Sequence, residues 1–326
     1  MQSIETNLSP VLDEQAQLAW RNILERMEPQ SSAELVERLA ETKVQVQLAC
    51  ALACSPFIAR TLRNRPALLS ELLQSGSLWR STSEGELREQ LQLELAGPNA
   101  DLAAVLRRYR QFHMVRIVWR DFNRLADTRE TMRDTSFLAE VTIDQALQVS
   151  RLALEARHGR PIGATSGEPQ QLIVLAMGKL GARELNVSSD VDLIFAFDES
   201  GHTDSDTASI SNQEFFTKLG QALIHAVDHV TVDGFVFRVD MRLRPYGESG
   251  ALVSNFAALE QYYQDQGRDW ERYAMIKARI VNEHEQPEQS AKLMKLIQPF
   301  VYRKYADFSA IQALRDMKRL IMSEVH

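Results

Sequence analysis

The chain has 326 residues, 44% hydrophobic and 25% charged, with a net charge of −7. This is the composition of a globular protein of two or three domains, without the overall basic field that nucleic-acid binding calls for. No apolar run approaches the ~18 residues that span a bilayer, and the polar, acidic opening MQSIETNLSPVLDEQ is not a secretory signal. The expectation is a cytoplasmic protein that partners neither nucleic acid nor membrane.

Residues 13–157 read as almost wholly helical. DEQAQLAWRNILERME, SSAELVERLAETK and SEGELREQLQLELAG carry apolar residues at spacings of three and four, with Asp13, Ser31 and Ser83 as expected N-caps and Pro29, Pro56, Pro66 and Pro98 as punctuation. Cys50 and Cys54 lie four apart with no second Cys/His pair nearby, so they read as small core residues rather than zinc ligands. DLAAVLRRYRQFHMVRIVWRDFNRLA (101–126) is a long helix with arginines at 107, 108, 110, 116, 120 and 124. They read as a solvated face with intramolecular ion pairs. The sharper alternative is a surface for phosphate or an acidic partner.

Near residue 160 the pattern changes. RHGRPIGATSGEPQQ reads as a loop or linker, and LIVLAMG (172–178) as a strand buried on both faces. KLGARELN is a short helical turn, VDLIFAF (191–197) a second strand, DESGHTDSDTASIS a mobile surface loop and NQEFFTKLGQALIHAVDHV (212–230) a helix. FVFRVDMRLR (235–244) is a third strand, and helices resume from about 256. His225 and His229 have a zinc pair's spacing but lack the glutamate of HExxH, so they read as structural. The expected fold is α+β: a mostly helical chain with an embedded mixed-sheet domain. Its boundaries are a helical region over 1–157, the mixed domain over 158–282, and the start of a further helical domain over 283–326. The closing IQALRDMKRLIMSEVH is amphipathic and ends without a cap, as expected of a piece of something longer.

The chemistry lies in SSDVDLI (188–194). Residues two apart on a strand share a face, so Asp190 and Asp192 project together. On the third strand, alternation puts Phe235, Phe237, Val239, Met241 and Leu243 on an apolar face, and Asp240 between arginines on the other. Three carboxylates converging in a dry site cannot all stay ionised unless a cation shares their charge. Mg²⁺ takes such hard oxygen ligands, and ions so held can clamp an in-line displacement at phosphorus. Arg242 and Arg244 would offer forked donors to phosphate. Gly178, at a strand end before a helical turn, lets an anion approach the backbone. The stretch fits neither GxxxxGK[ST] nor GxGxxG.

The combination of LAMGKLGARELNVSSDVDLIF with a third aspartate on a later strand resembles the nucleotidyltransferase fold of the DNA polymerase β superfamily. With FRVDMRLRPYGESGALV and YYQDQGRDWERYAMIKARIV, the match narrows to the glutamine synthetase adenylyltransferase family, densely over about 170–282. That family has two related halves, one adding AMP to a tyrosine of glutamine synthetase, the other removing it by phosphorolysis. The wording here is closer to the removing half. The resemblance implies Asp190, Asp192 and Asp240 as catalytic Mg²⁺ ligands. It implies Gly178, Lys179, Ser189, Arg242, Arg244 and Lys277 as nucleotide or phosphate contacts. Partners would be adenylylated glutamine synthetase, inorganic phosphate, ADP or ATP and, in the full-length protein, the signalling protein PII. Adenylyl transfer from ATP by the same site, or a non-catalytic nucleotide- or PII-binding module, are the alternatives. In RDWERYAMIKARIV, Trp270 and Tyr273 are expected to pack the helix on the sheet, with Lys277 on the same face and Glu271 and Arg272 solvated.

Overall fold

A computed structural model describes residues 3–302 and the helical positions 312, 315, 316, 318, 319, 322 and 323. The remainder of the expected closing helix lies outside the described residues. The chain divides into two compact units, 1–141 with 184–188, and 142–183 with 189–326.

The first unit is helical: α1 (Pro10–Leu24), α2 (Pro29–Arg38), α3 (Thr42–Cys54), α4 (Pro56–Asn64), α5 (Ala67–Ser75), α6 (Glu84–Leu95), α7 (Leu102–Phe122) and the first part of α8 (Thr128–His158). Ser83 caps α6 in a reciprocal box with Glu86, as the spacing predicts. Asp13 and Ser31 are not caps; Pro10 and Pro29 begin their helices, because the fixed φ of proline suits the first helical position and its missing N–H costs nothing there. Cys50 and Cys54 are half-buried on α3. The core holds Trp20, Ile23, Leu48, Leu62 and Trp119.

Three α7 arginines belong to that core. Arg107, Arg116 and Arg120 are buried, which overturns both the solvated face and the docking surface for them. Arg116 donates to Asp134 (3.0 Å) and to the carbonyls of Ser77 (3.0 Å) and Arg80 (2.6 Å). Arg120 donates to Glu130 (2.8 Å) and the carbonyls of Leu78 (3.1 Å) and Leu125 (3.0 Å). A guanidinium has five donors in a planar fork, so Arg116 and Arg120 each serve two backbone carbonyls while pairing with a carboxylate.

The second unit is built on a sheet in the order β5 (Val239–Asp240), β3 (Val191–Phe197), β2 (Ile173–Ala176), β7 (Arg279–Ile280), with β6 (Val253–Asn255) also on β3. β2 is antiparallel to β3 and β7, while β3 is parallel to β5 and β6. β2 and most of β3 are buried on both faces, which explains their unbroken apolar runs. On one face, Ile173, Leu175, Ile194 and Ala196 pack with α11 (Phe256–Asp265), α12 (Asp269–Met275) and α13 (Pro287–Val301). On the other lies α10 (Asn212–Asp228), with Phe197 against Phe216, centroids 4.7 Å apart. Gly220 of α10 lies so close that a Cβ would sit 2.9 Å from the Phe195 ring.

Inside the expected linker and surface loop are β1 (Pro161–Gly163) and β4 (Gly201–Thr203), which pair antiparallel. The loop is pinned rather than loose: Asp204 accepts from the Arg160 amide (2.7 Å) and Ser209 Oγ donates to the Thr203 carbonyl (2.7 Å). The third strand is shorter than its alternation predicts. The amides of Val236 and Phe237 both donate to the Val227 carbonyl. Beyond Asp240 the Arg242 amide turns onto Asp240's own carboxylate (2.8 Å), a local bond that competes with the ladder. α+β is the class.

Candidate active site

β5 pairs with the start of β3 in parallel register, Val191 opposite Val239 and Asp192 opposite Asp240. Opposed residues on neighbouring strands sit ~4.8 Å apart on the same face, so Asp192 and Asp240 are brought together. Asp190 lies one step before the strand, where the Val191 amide donates to the Arg238 carbonyl (2.9 Å).

The charges respond to this crowding. Asp192 is half-buried, and desolvation, then Asp240 and Asp190, push its carboxyl above the usual range against the pull of Arg242 and Lys179. Asp240 goes the opposite way. Hydrogen bonds from Arg242 hold it below the usual range despite partial desolvation, with Arg242 Nη2 2.5 Å from Oδ2. Arg238 Nε is 2.5 Å from Asp190 Oδ1. With Asp190 and Asp240 each turned onto an arginine, the oxygens of the three aspartates do not all lie within 4.8 Å of one another.

The β2 end completes the cluster. The Met177 amide donates to the Asp192 carbonyl (2.9 Å). Gly178 has φ +53°, and a Cβ there would lie 2.6 Å from Asp192 Oδ2. Glycine is required here both for the left-handed backbone and for the approach of the carboxylate. Gly178 opens the four-residue α9 (Gly178–Gly181), and Lys179 Nζ donates to Ser189 Oγ (3.3 Å), joining two expected site residues. Lys277 is exposed, and its backbone carbonyl lies so close to Gly181 that a Cβ could not fit.

Arg244 is not placed as a free phosphate ligand. Its guanidinium spans the carbonyls of Met241 (2.8 Å), Glu248 (3.0 Å) and Gly250 (3.4 Å), clasping the loop that leaves β5. Two residues outside the expected set take part. Arg238 holds Asp190. Arg279 donates to the carbonyls of Leu180 (3.2 Å) and Gly181 (3.2 Å), capping α9 from β7. Arg238 was legible as part of the strand's arginine-flanked face, whereas nothing local marked Arg279.

The α12 segment reverses its expected faces. Trp270 is 40% exposed, whereas Glu271 and Arg272 are buried. Glu271 accepts from the Tyr262 hydroxyl (2.7 Å) and the Arg268 amide (2.8 Å), and Arg272 pairs with Asp269. The helix ends at Met275, too soon for one face to carry Trp270 and Lys277 together. His225 and His229 stack ring on ring at 4.4 Å, a packing contact rather than ligand geometry.

No helix among the described residues is long and apolar enough to cross a membrane. Residues 44–294 match the family model described as glutamate-ammonia ligase adenylyltransferase. The chain is 56% identical over 275 residues to the bifunctional glutamine synthetase adenylyltransferase/adenylyl-removing enzyme of Pseudomonas aeruginosa, covering 84% of the chain and 28% of that protein. The proteins of the same name from Pseudomonas syringae pv. tomato and Shewanella oneidensis are 51% and 45% identical, over 95% and 98% of the chain and 31% and 32% of their lengths. The chain thus spans less than a third of the relatives it matches. With the family model covering most of its length, this chain belongs to the glutamate-ammonia ligase adenylyltransferase family.

Proposed function

We propose that this chain carries a nucleotidyltransferase site that removes AMP from an adenylylated tyrosine of glutamine synthetase by phosphorolysis. The observation that carries the reading is the parallel register of β3 and β5, which sets Asp192 beside Asp240. A half-buried carboxylate whose pKa is raised by two neighbouring carboxylates, as Asp192's is, is of the kind found at functional sites. The donor set of Asp190, Asp192 and Asp240 fits Mg²⁺, which prefers hard oxygen ligands. A bound divalent ion supplies neutralisation of the charge on the α-phosphate.

The chain's own residues do the rest. Gly178 keeps the β2 end bare, so that a phosphate can reach Asp192 without meeting a side chain. Arg238 and Arg242, once released from their carboxylates, present forked donors to phosphate oxygens, and Lys179 adds a point charge. An oxygen of inorganic phosphate attacks the α-phosphorus as the phosphorus–oxygen bond to tyrosine breaks. ADP forms, and the phenolate takes a proton from water. A phenol's pKa near 10 makes it a good leaving group, so positioning and charge neutralisation suffice.

The removing direction is supported by the resemblance of VDMRLRPYGESG and YYQDQGRDWERYAMIKAR to the removing half of the family. The relatives' printed names carry both activities. Purified chain incubated with adenylylated glutamine synthetase, phosphate and Mg²⁺ releases ADP, and Asp192→Asn abolishes the release. AMP incorporation from ATP in place of ADP release would reverse the assigned direction. Neither product, with wild type and Asp192→Asn alike, would leave a nucleotide- or PII-binding role instead.

A further inference from the structure

The second unit holds another convergence of ligand-type side chains, at the opposite end of β2. Donor atoms of Asp144 on α8, and of His284 and Glu285 in the 3₁₀ turn Glu283–Glu285, all lie within 4.8 Å of one another. The turn is held rigidly in place. Asn282 just before it is buried, accepting from the Val174 amide (3.1 Å) and donating to the Leu172 carbonyl (2.8 Å). Gln286 just after it is also buried and donates to the same carbonyl (2.9 Å). Three hydrogen bonds to the start of β2 thus bracket an adjacent His and Glu and aim them at Asp144. The Asp144 side chain is fully buried.

The spacing argues for an ion between these groups rather than a direct bond. His284 Nε2 stands 3.6 Å from Asp144 Oδ2, well beyond the ~2.8 Å of a charge-assisted hydrogen bond. Two ligands of one tetrahedral ion with bonds of ~2.05 Å stand about 3.3 Å apart, so a small adjustment accommodates a shared cation. Two carboxylates this close, one of them fully buried, face the same repulsion as Asp190, Asp192 and Asp240. Gln148 Nε2 (3.1 Å) and Gln145 Nε2 (3.5 Å) donate to Asp144 Oδ2, and such outer amides orient a ligating carboxylate.

We propose that Asp144, His284 and Glu285 form a second divalent-cation site, of the mixed imidazole–carboxylate type that takes Zn²⁺ rather than Mg²⁺. Three protein ligands leave one position for water. The ion ties the later part of α8 to the turn after β7. Leu172 and Met177 mark the two ends of β2, about 17 Å apart at ~3.3 Å per residue, so this site does not share the ion of the aspartate cluster. It therefore stands or falls independently of the reaction assigned above.

The test uses protein bearing Asp190→Asn, Asp192→Asn and Asp240→Asn together, which removes the first cluster, titrated calorimetrically with Zn²⁺. Saturable binding is expected, with one equivalent lost or weakened at least tenfold on adding His284→Ala. His284 is half-exposed, so that change leaves the fold intact, and Zn²⁺ should raise the unfolding temperature of the parent but not of the His284→Ala protein. Millimolar Mg²⁺ should not compete. Zn²⁺ binding unchanged by His284→Ala, no saturable binding, or displacement by millimolar Mg²⁺ each overturns the proposal.

Discussion

Two arginine–aspartate clusters in this chain use the same chemistry toward opposite ends. In the helical unit, Arg116 and Asp134 are 1% and 5% exposed, and Arg116 also saturates two backbone carbonyls. In the sheet unit, Arg242 is 71% exposed over a largely buried Asp240, and Arg238 and Asp190 are both about half-exposed. A buried pair whose remaining donors are all spoken for cannot rearrange without leaving a charge unsolvated. An exposed pair is worth little to stability, so its arginine can leave at small cost and its carboxylate can take another partner. Burial and surplus hydrogen bonds, more than the ion pair itself, separate this brace from the proposed reactive site.

The contrast can be broken by substitution. Asp192→Asn or Asp240→Asn should lower turnover of adenylylated glutamine synthetase by at least about 10³-fold, with the urea midpoint almost unchanged; retained turnover in either variant would undo the site. Arg116→Ala should do the reverse. Asp134 keeps Arg133 (2.8 Å), but the Ser77 and Arg80 carbonyls lose their donor, a cost of about 1–3 kcal/mol for a buried group, read as a lowered urea midpoint at constant slope. A loss under ~1 kcal/mol would mean that Arg116 is no brace.

Acid separates the regions further. His113 in α7 is buried, and burial lowers its pKa to about 3. The folded state then refuses a proton that the unfolded state takes up below ~6.5. Its contribution is complete above that value and declines by up to ~1.4 kcal/mol per pH unit as pH falls toward 3. Asp192 has the opposite sign. Its raised carboxyl pKa disfavours the folded state at neutral pH, and that penalty is relieved as pH falls through the carboxylate range. Unfolding of His113→Gln protein should therefore show a flatter acid dependence between pH 6.5 and 4. An identical dependence would remove His113 from the account.

Gly178→Ala should cost about 1–3 kcal/mol of stability from the left-handed backbone, together with an activity loss, because the new methyl meets Asp192 Oδ2. Full activity in that variant would show that the Gly178–Asp192 contact is not needed.

Much of this was legible in the amino-acid order because it depends on near neighbours. The unbroken apolar runs marked β2 and β3, and Ser83 three residues before Glu86 marked the start of α6, whereas β3 begins at Val191, one residue after the Asp190 that strand periodicity set on a face with Asp192. The family was legible from motif wording alone. Burial was not. Arg116 and Arg120 looked like part of a solvated stripe because local spacing cannot reveal carbonyls of residues 77–80 that need donors. Glu271 looked solvated because its partner, the Tyr262 hydroxyl, arrives from α11.

Local sequence thus determined which residues carry charge and the faces they occupy on each element, since both depend on chain geometry over a few residues. Tertiary structure alone decided which charges meet. The β3–β5 register places Asp240 beside Asp192, 48 positions away along the chain. The hydrogen bonds of Asn282 and Gln286 bring His284 and Glu285 to Asp144. Solvent exposure then sets whether such a meeting braces the fold or remains open to a ligand, because the cost of separating two charges depends on whether water can reach them.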